Sequence, residues 1–171
     1  MTSIRSGSRP TEARPVDWLE PLSQTYPARA LILSPTLYLL VNAAHIMAIG
    51  VLFGAILSLD LRILGLARML PLAPTAVYLS RVAATGLGLA MLTGLGLFSV
   101  RPGEYAANPA FLAKLALIAL GLINILAVHL TPAWRATVRG AEPTKVLRVG
   151  AAMSILIWGG AIIAGRWIGF I

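Results

Sequence analysis

Between Thr36 and Leu59 the chain runs for 24 residues with Asn42 and His45 as its only strongly polar side chains. About 20 apolar residues cross the hydrocarbon core of a bilayer as an α-helix, so this run reads as a membrane span. Three more runs follow, at about 75–100, 109–131 and 145–170. A segment in lipid must satisfy its own backbone hydrogen bonds, which leaves helices or closed barrels. Runs of this length are helical. The expected fold is therefore an all-α membrane protein: an antiparallel four-helix transmembrane bundle over residues 35–171, the first span ending near 65, preceded by a short N-terminal interfacial segment.

Composition agrees. Hydrophobic residues make up 58% of the chain and charged ones 12%, against about 45–50% and about 25% in soluble domains. A surface so poor in charge suits lipid. The net charge of +8 could point to nucleic acid, but the Lys and Arg residues sit between the apolar runs, as in proteins oriented by basic loops. No nucleic-acid partner is expected; the bilayer is, with a membrane protein partner or a second copy as further possibilities. The chain has no cysteine, which excludes disulfides, zinc–cysteine sites, iron–sulfur ligation and thiol catalysis.

The runs are punctuated by caps and breakers. Ser34-Pro35 and Asn108-Pro109 each place a good N-cap before a proline suited to the first helical position. Pro71 and Pro74 mark a tight connection, Arg101-Pro102-Gly103 ends the second span, and Thr131-Pro132 stops the third. Glycines at 86, 88, 94 and 96, and the small residues Gly159, Gly160, Ala161, Ala164 and Gly165, predict close helix packing. Arg166 and Trp167 suit the membrane interface. Residues 16–34 carry Trp18, Leu19, Leu22 and Tyr26 and predict a segment lying on the membrane surface, with Pro21 and Pro27 ruling out one long helix. Residues 1–15 are polar, contain Arg5, Arg9 and Arg14, and lack the apolar centre of a secretory signal. They read as a disordered tail.

Basic residues set the orientation. Arg62, Arg68 and Arg81 flank the first connection; Arg135, Arg139, Lys145 and Arg148 flank the third. The second has only Arg101 and Lys114, with Glu104. The loops at about 65–75 and 131–145 are expected to be cytoplasmic and both termini external, in a bacterial inner membrane.

Several stretches carry a resemblance. They are Trp18-Leu19-Glu20, then His45, Gly54 and Asp60-Leu61-Arg62-Ile63-Leu64-Gly65, then Thr93-Gly94-Leu95-Gly96-Leu97-Phe98, Glu104 through Lys114, and Asn124. Over residues 16–130 the chain resembles a family of small four-helix bacterial inner-membrane proteins of unknown function, which implies the topology but no activity. The early histidine followed by small residues also resembles the membrane domain of copper-resistance protein D, which implies copper handling or a redox setting.

Ionisable groups at membrane depth cost about 2.5–3.5 kcal/mol each on insertion scales, so their positions are informative. At 1.5 Å per residue His45 lies about 15 Å and His129 about 30 Å below the external ends of their helices. Two axial ligands of one haem must be nearly level, so one bis-histidine haem is not expected. The polar residues sort into two layers. The cytoplasmic layer holds Asp60, Arg62, Arg81 and His129. It is read as an ion-pair group fixing helix register, with Arg81 the first candidate partner of Asp60 and Arg62 and His129 the alternatives. The external layer holds Asn42, His45, Met91, Thr93, Lys114 and Arg166 and is the candidate cofactor site. His45 could ligate haem b or a metal with Met91 as second ligand, Lys114 and Arg166 pairing with propionates, or could bond a quinone head group. Copper would call on Met47, Met91 and Met153.

No catalytic constellation stands out. The leading expectation is a small membrane subunit of a redox or electron-transfer system with haem b or quinone near the external side. Alternatives are a copper or proton transporter-like protein, and a structural or assembly subunit without cofactor.

Overall fold

A computed structural model describes residues 17–66 and 68–170. The tail expected at residues 1–15 lies outside the described residues. A 3-10 helix (Asp17–Gln24) leads into α1 (Tyr26–Leu33), α2 (Pro35–Leu64), α3 (Leu72–Val100), α4 (Pro102–Ala107), α5 (Pro109–His129), α6 (Pro132–Thr137) and α7 (Lys145–Trp167). There is no strand among the described residues. Helices α2, α3, α5 and α7 are long and apolar enough to cross a membrane. Their outward faces carry large apolar side chains: Leu92 and Leu95 on α3, Ile123 and Leu126 on α5, and Leu156 and Ile163 on α7 are all exposed. Apolar surface this extensive needs a lipid cover, which makes the chain a multi-pass membrane protein.

The helix starts follow the caps. Ser34 Oγ accepts from Leu37 N at 3.3 Å, and Asn108 Oδ1 accepts from Ala110 N at 2.9 Å and Phe111 N at 3.2 Å. Thr144 Oγ1 accepts from Leu147 N at 3.4 Å. Each satisfies donors that have no partner within the helix. Helix α2 ends at Gly65, whose φ of 97° is left-handed, and Leu66 N closes back on Leu61 O at 3.0 Å. Glycine meets that conformation without a Cβ penalty.

Several boundaries differ from the sequence expectation. Helix α3 begins at Leu72, because Pro74 is tolerated in a first turn that makes no intrahelical N–H bond. Pro102 and Pro132, read as stops, also open the short helices α4 and α6. Pro27 likewise stands in the first turn of α1. In each case proline ends one helix and is pre-organised to start the next.

Two seams hold the long helices. On α3, a Cβ at Gly86 would stand 2.7 Å from Leu52 N and 3.1 Å from Ala48 O of α2, so the two backbones touch there. Further along α3, Gly94 lies against the His45 ring and Gly96 against Leu31 of α1. Partners on α2 thus fall in number as those on α3 rise. The seam between α5 and α7 behaves alike: Gly121 lies under the Trp158 ring, Leu117 over Gly160, and Lys114 over Gly165. Gly88 and Gly159 meet nothing within 4 Å, so only part of each expected small-residue face is used.

Helix α2 also packs on α7, whereas α3 and α5 do not pack closely together. Trp158 of α7 fills the middle, buried with Leu52 and Ile56 and flanked by Ala83, Leu87, Ile118 and Ile125. Towards the Gly65 end a second cluster joins Leu59, Ile63, Ala76, Trp134, Leu147 and Ala151. At the opposite end the 3-10 helix and α1 pack on α3, and α4 packs on the 3-10 helix. Phe98 stacks on Phe111 at 5.4 Å with Tyr105 beside both. Burial, with the Tyr38 phenol alongside, pushes the Tyr105 hydroxyl above the ordinary tyrosine range.

Candidate functional site

His45 sits on the inner side of α2, half-buried. Its Nδ1 lies 2.9 Å from Thr93 Oγ1 of α3. Thr93 Oγ1 is also 2.7 Å from its own Leu89 carbonyl oxygen. A carbonyl only accepts, so the hydroxyl proton goes to Leu89 and the hydroxyl accepts from His45 Nδ1–H. The Ala90 carbonyl also accepts a hydrogen bond from the ring, and in the Nδ1–H tautomer Nε2 keeps its lone pair. Gly94 makes room for the ring: a Cβ there would stand 3.0 Å from His45 Cε1. The Lys114 ammonium of α5 acts electrostatically on the same imidazole. Lys114 reaches inward by lying across Gly165 of α7, its stem 3.4–3.6 Å from where a Cβ would be.

The structure brings His45, Thr93 and Lys114 together. The rest of the external layer it leaves apart. Asn42 is exposed one turn away on α2. Met91 is 53% exposed on the outer face of α3, because two residues along a helix turn the side chain by about 200° from Thr93. The Arg166 guanidinium lies over the Phe170 ring at 4.7 Å. Of the haem parts expected from sequence, a second axial ligand at Met91 and a propionate partner at Arg166 are therefore not assembled around His45. Met47 and Met153 are also exposed, and among the described residues no three His, Asp or Glu side chains group as a metal site would need.

The other layer is rearranged more deeply. Asp60 is buried at 7% exposure, but it forms no ion pair among the described residues. Among the described residues the ion pair is Arg101 with Glu104, an exposed contact at 3.4 Å. Arg81 is exposed, Arg62 Nε donates to Leu70 O at 2.7 Å, and His129 Nδ1 donates to Ile125 O at 2.9 Å. In place of the expected register-fixing ion pair there is a mostly apolar cavity of about 160 Å³ between the four long helices, with a few polar groups in its lining. Asp60, Ser80, Asn124, His129 and Ser154 line it, with Trp134 of α6 against the His129 ring at 4.1 Å. The Ser154 hydroxyl is within reach of the Asp60 carboxyl, while Asp60 Oδ2 and Ser80 Oγ are buried without a hydrogen-bond partner. Asn124 donates to Gly150 O at 3.1 Å.

Ser80 carried no signal in the sequence, since a lone serine beside Arg81 reads as part of a helix end. Ser154 and Asn124 were visible as the polar members of their spans, but not as neighbours of Asp60.

Residues 35–171 match a family described as a family of unknown function (DUF6644). That range starts at Pro35, later than the resemblance over 16–130, and runs on through α6 and α7. No curated protein matches the chain, and no solved structure does, so the likeness to copper-resistance protein D gains no support from these comparisons. The match covers α2 through α7 and both polar sites, and the chain belongs to the DUF6644 family of unknown function.

Proposed function

We propose that this is a small integral protein of the bacterial inner membrane, an antiparallel four-helix transmembrane bundle, that binds a quinol head group at His45 as the membrane subunit of a redox system. The observation that carries the reading is the state of the imidazole. Its Nδ1–H is held by Thr93, which leaves Nε2 to accept from a hydroxyl O–H. A histidine oriented through one nitrogen so that the other can engage a ligand is the usual arrangement at functional sites. Lys114 acts electrostatically on the ring, and in its protonated form it favours an oxygen that is losing its proton. The loose packing of α3 against α5 suits a ligand that arrives sideways from the bilayer. A quinol needs one acceptor and an apolar surround, whereas haem needs the further groups that Met91 and Arg166 do not supply.

The arginine distribution supports an orientation with the Gly65 end cytoplasmic. Arg62, Arg68, Arg135, Arg139, Lys145 and Arg148 flank that end, and His45 then lies in the external half.

The test is binding of a short-chain quinol analogue to detergent-purified protein, read at the ¹⁵N resonances of His45. Binding that shifts Nε2 and disappears in His45→Ala is expected. Undiminished binding in His45→Ala, or none to the native protein, overturns the reading. A Soret band in the purified protein would return the assignment to haem.

A further inference from the structure

The cavity around Asp60 is separate from the His45 site: His45, Thr93 and Lys114 do not line it. We propose that it is a proton-exchange site, in which Asp60 and His129 pass a proton between them through water. Asp60 on α2 and His129 on α5 are the titratable groups among the described residues that line it. Helix α3 contributes Ser80, α7 contributes Ser154, and α6 closes on His129 with Trp134. No lysine or arginine lines it among the described residues.

Three observations carry the inference. First, an ionised carboxylate buried without a cation is costly, and among the described residues Asp60 has none. Its Oδ2 and the Ser80 hydroxyl are nevertheless left without protein partners. Buried polar atoms are satisfied in the great majority of cases, by water where protein does not serve. Second, a cavity of about 160 Å³ exceeds the ~10–15 Å³ of probe volume that one water needs, and its largely apolar lining carries polar groups at Asp60, Ser80, Asn124, His129 and Ser154. Third, His129 donates from Nδ1 to Ile125 O, so Nε2 of the neutral ring is an acceptor. The Asp60 carboxyl and a free imidazole nitrogen thus line one cavity. The transfer moves one proton: Asp60 as acid and neutral His129 on one side, carboxylate and imidazolium on the other. The second state is an ion pair, so neither form leaves a lone charge.

Infrared spectra of the native protein in liposomes, in H₂O and D₂O between about pH 5 and pH 8, test this. A carboxylic C=O band that moves in D₂O and is absent in Asp60→Asn is expected. The ¹⁵N signals of His129 in the native protein should titrate with the same midpoint, which needs no variant. In His129→Gln the band's midpoint should move by about one pH unit, a tenfold change in proton affinity. Absence of the band throughout, a band that ignores D₂O, or His129 signals that titrate independently of it would each overturn the proposal. These readouts do not involve quinol, so failure of either proposal leaves the other standing.

Discussion

Asp60 on α2 and Ser154 on α7 are two buried polar side chains that line one cavity, at 7% and 6% exposure, and among the described residues no lysine or arginine lines it with them. In lipid a charged side chain is normally matched by an opposite one. Here the Ser154 hydroxyl stands beside the carboxyl, and an amide and an imidazole line the same cavity. The helix register at this level is set by apolar packing of Leu59, Ile63, Leu147 and Ala151, not by an ion pair.

That distinction can be measured. If Asp60 has no partner in Arg81, the effects of Asp60→Asn and Arg81→Ala on stability in detergent should add to within about 0.3–0.5 kcal/mol. Arg81→Ala alone should change little, because the side chain is exposed. A larger coupling in the double-mutant cycle would restore the ion pair.

The α2–α3 seam depends on Gly86. Gly86→Ala places a Cβ 2.7 Å from the Leu52 backbone, which only a helix displacement can relieve. A loss of about 1–3 kcal/mol is expected, as for overpacked cores. Gly88→Ala, which meets nothing within 4 Å, should be neutral or gain up to about 1 kcal/mol from reduced backbone freedom. Thermal unfolding of the two variants side by side checks the contrast.

Thr93→Val keeps the shape of the side chain and removes the hydroxyl that fixes His45. The expected stability loss is modest, about 0.6–1 kcal/mol. The sharper readout is the imidazole itself: ¹⁵N spectra should show a single Nδ1–H tautomer in the native protein and a mixture in the variant. An unchanged tautomer would mean that Thr93 does not set it.

Asn108 caps α5 through two backbone donors. Asn108→Ala should cost about 1 kcal/mol, and Asn108→Ser should recover most of it. Equal losses in the two variants, measured by unfolding, would place the contribution of Asn108 elsewhere than in the cap.

The spans were legible in the sequence because the signal is local. Four apolar runs, each bounded by a cap, a proline or a glycine, define helices whatever surrounds them, and α2, α5 and α7 begin where Ser34, Asn108 and Thr144 stand. Depth was legible too, since a helix rises by a constant step, and counting residues brought Thr93 to the level of His45. What counting could not supply is the direction each side chain faces. Ser80 and Arg81 are one residue and about 100° apart; the first lines the cavity and the second is exposed. Thr93 and Met91 divide in the same way. Sequence alone thus determined four membrane-length helices and two levels of polar residues, because hydropathy and helical rise belong to the chain itself. The tertiary structure decided that Asp60 lies beside Ser154 and lines one cavity with His129 rather than meeting an arginine, because the rotation of each helix is set by packing at Gly86, Gly121 and Trp158, contacts made only between segments.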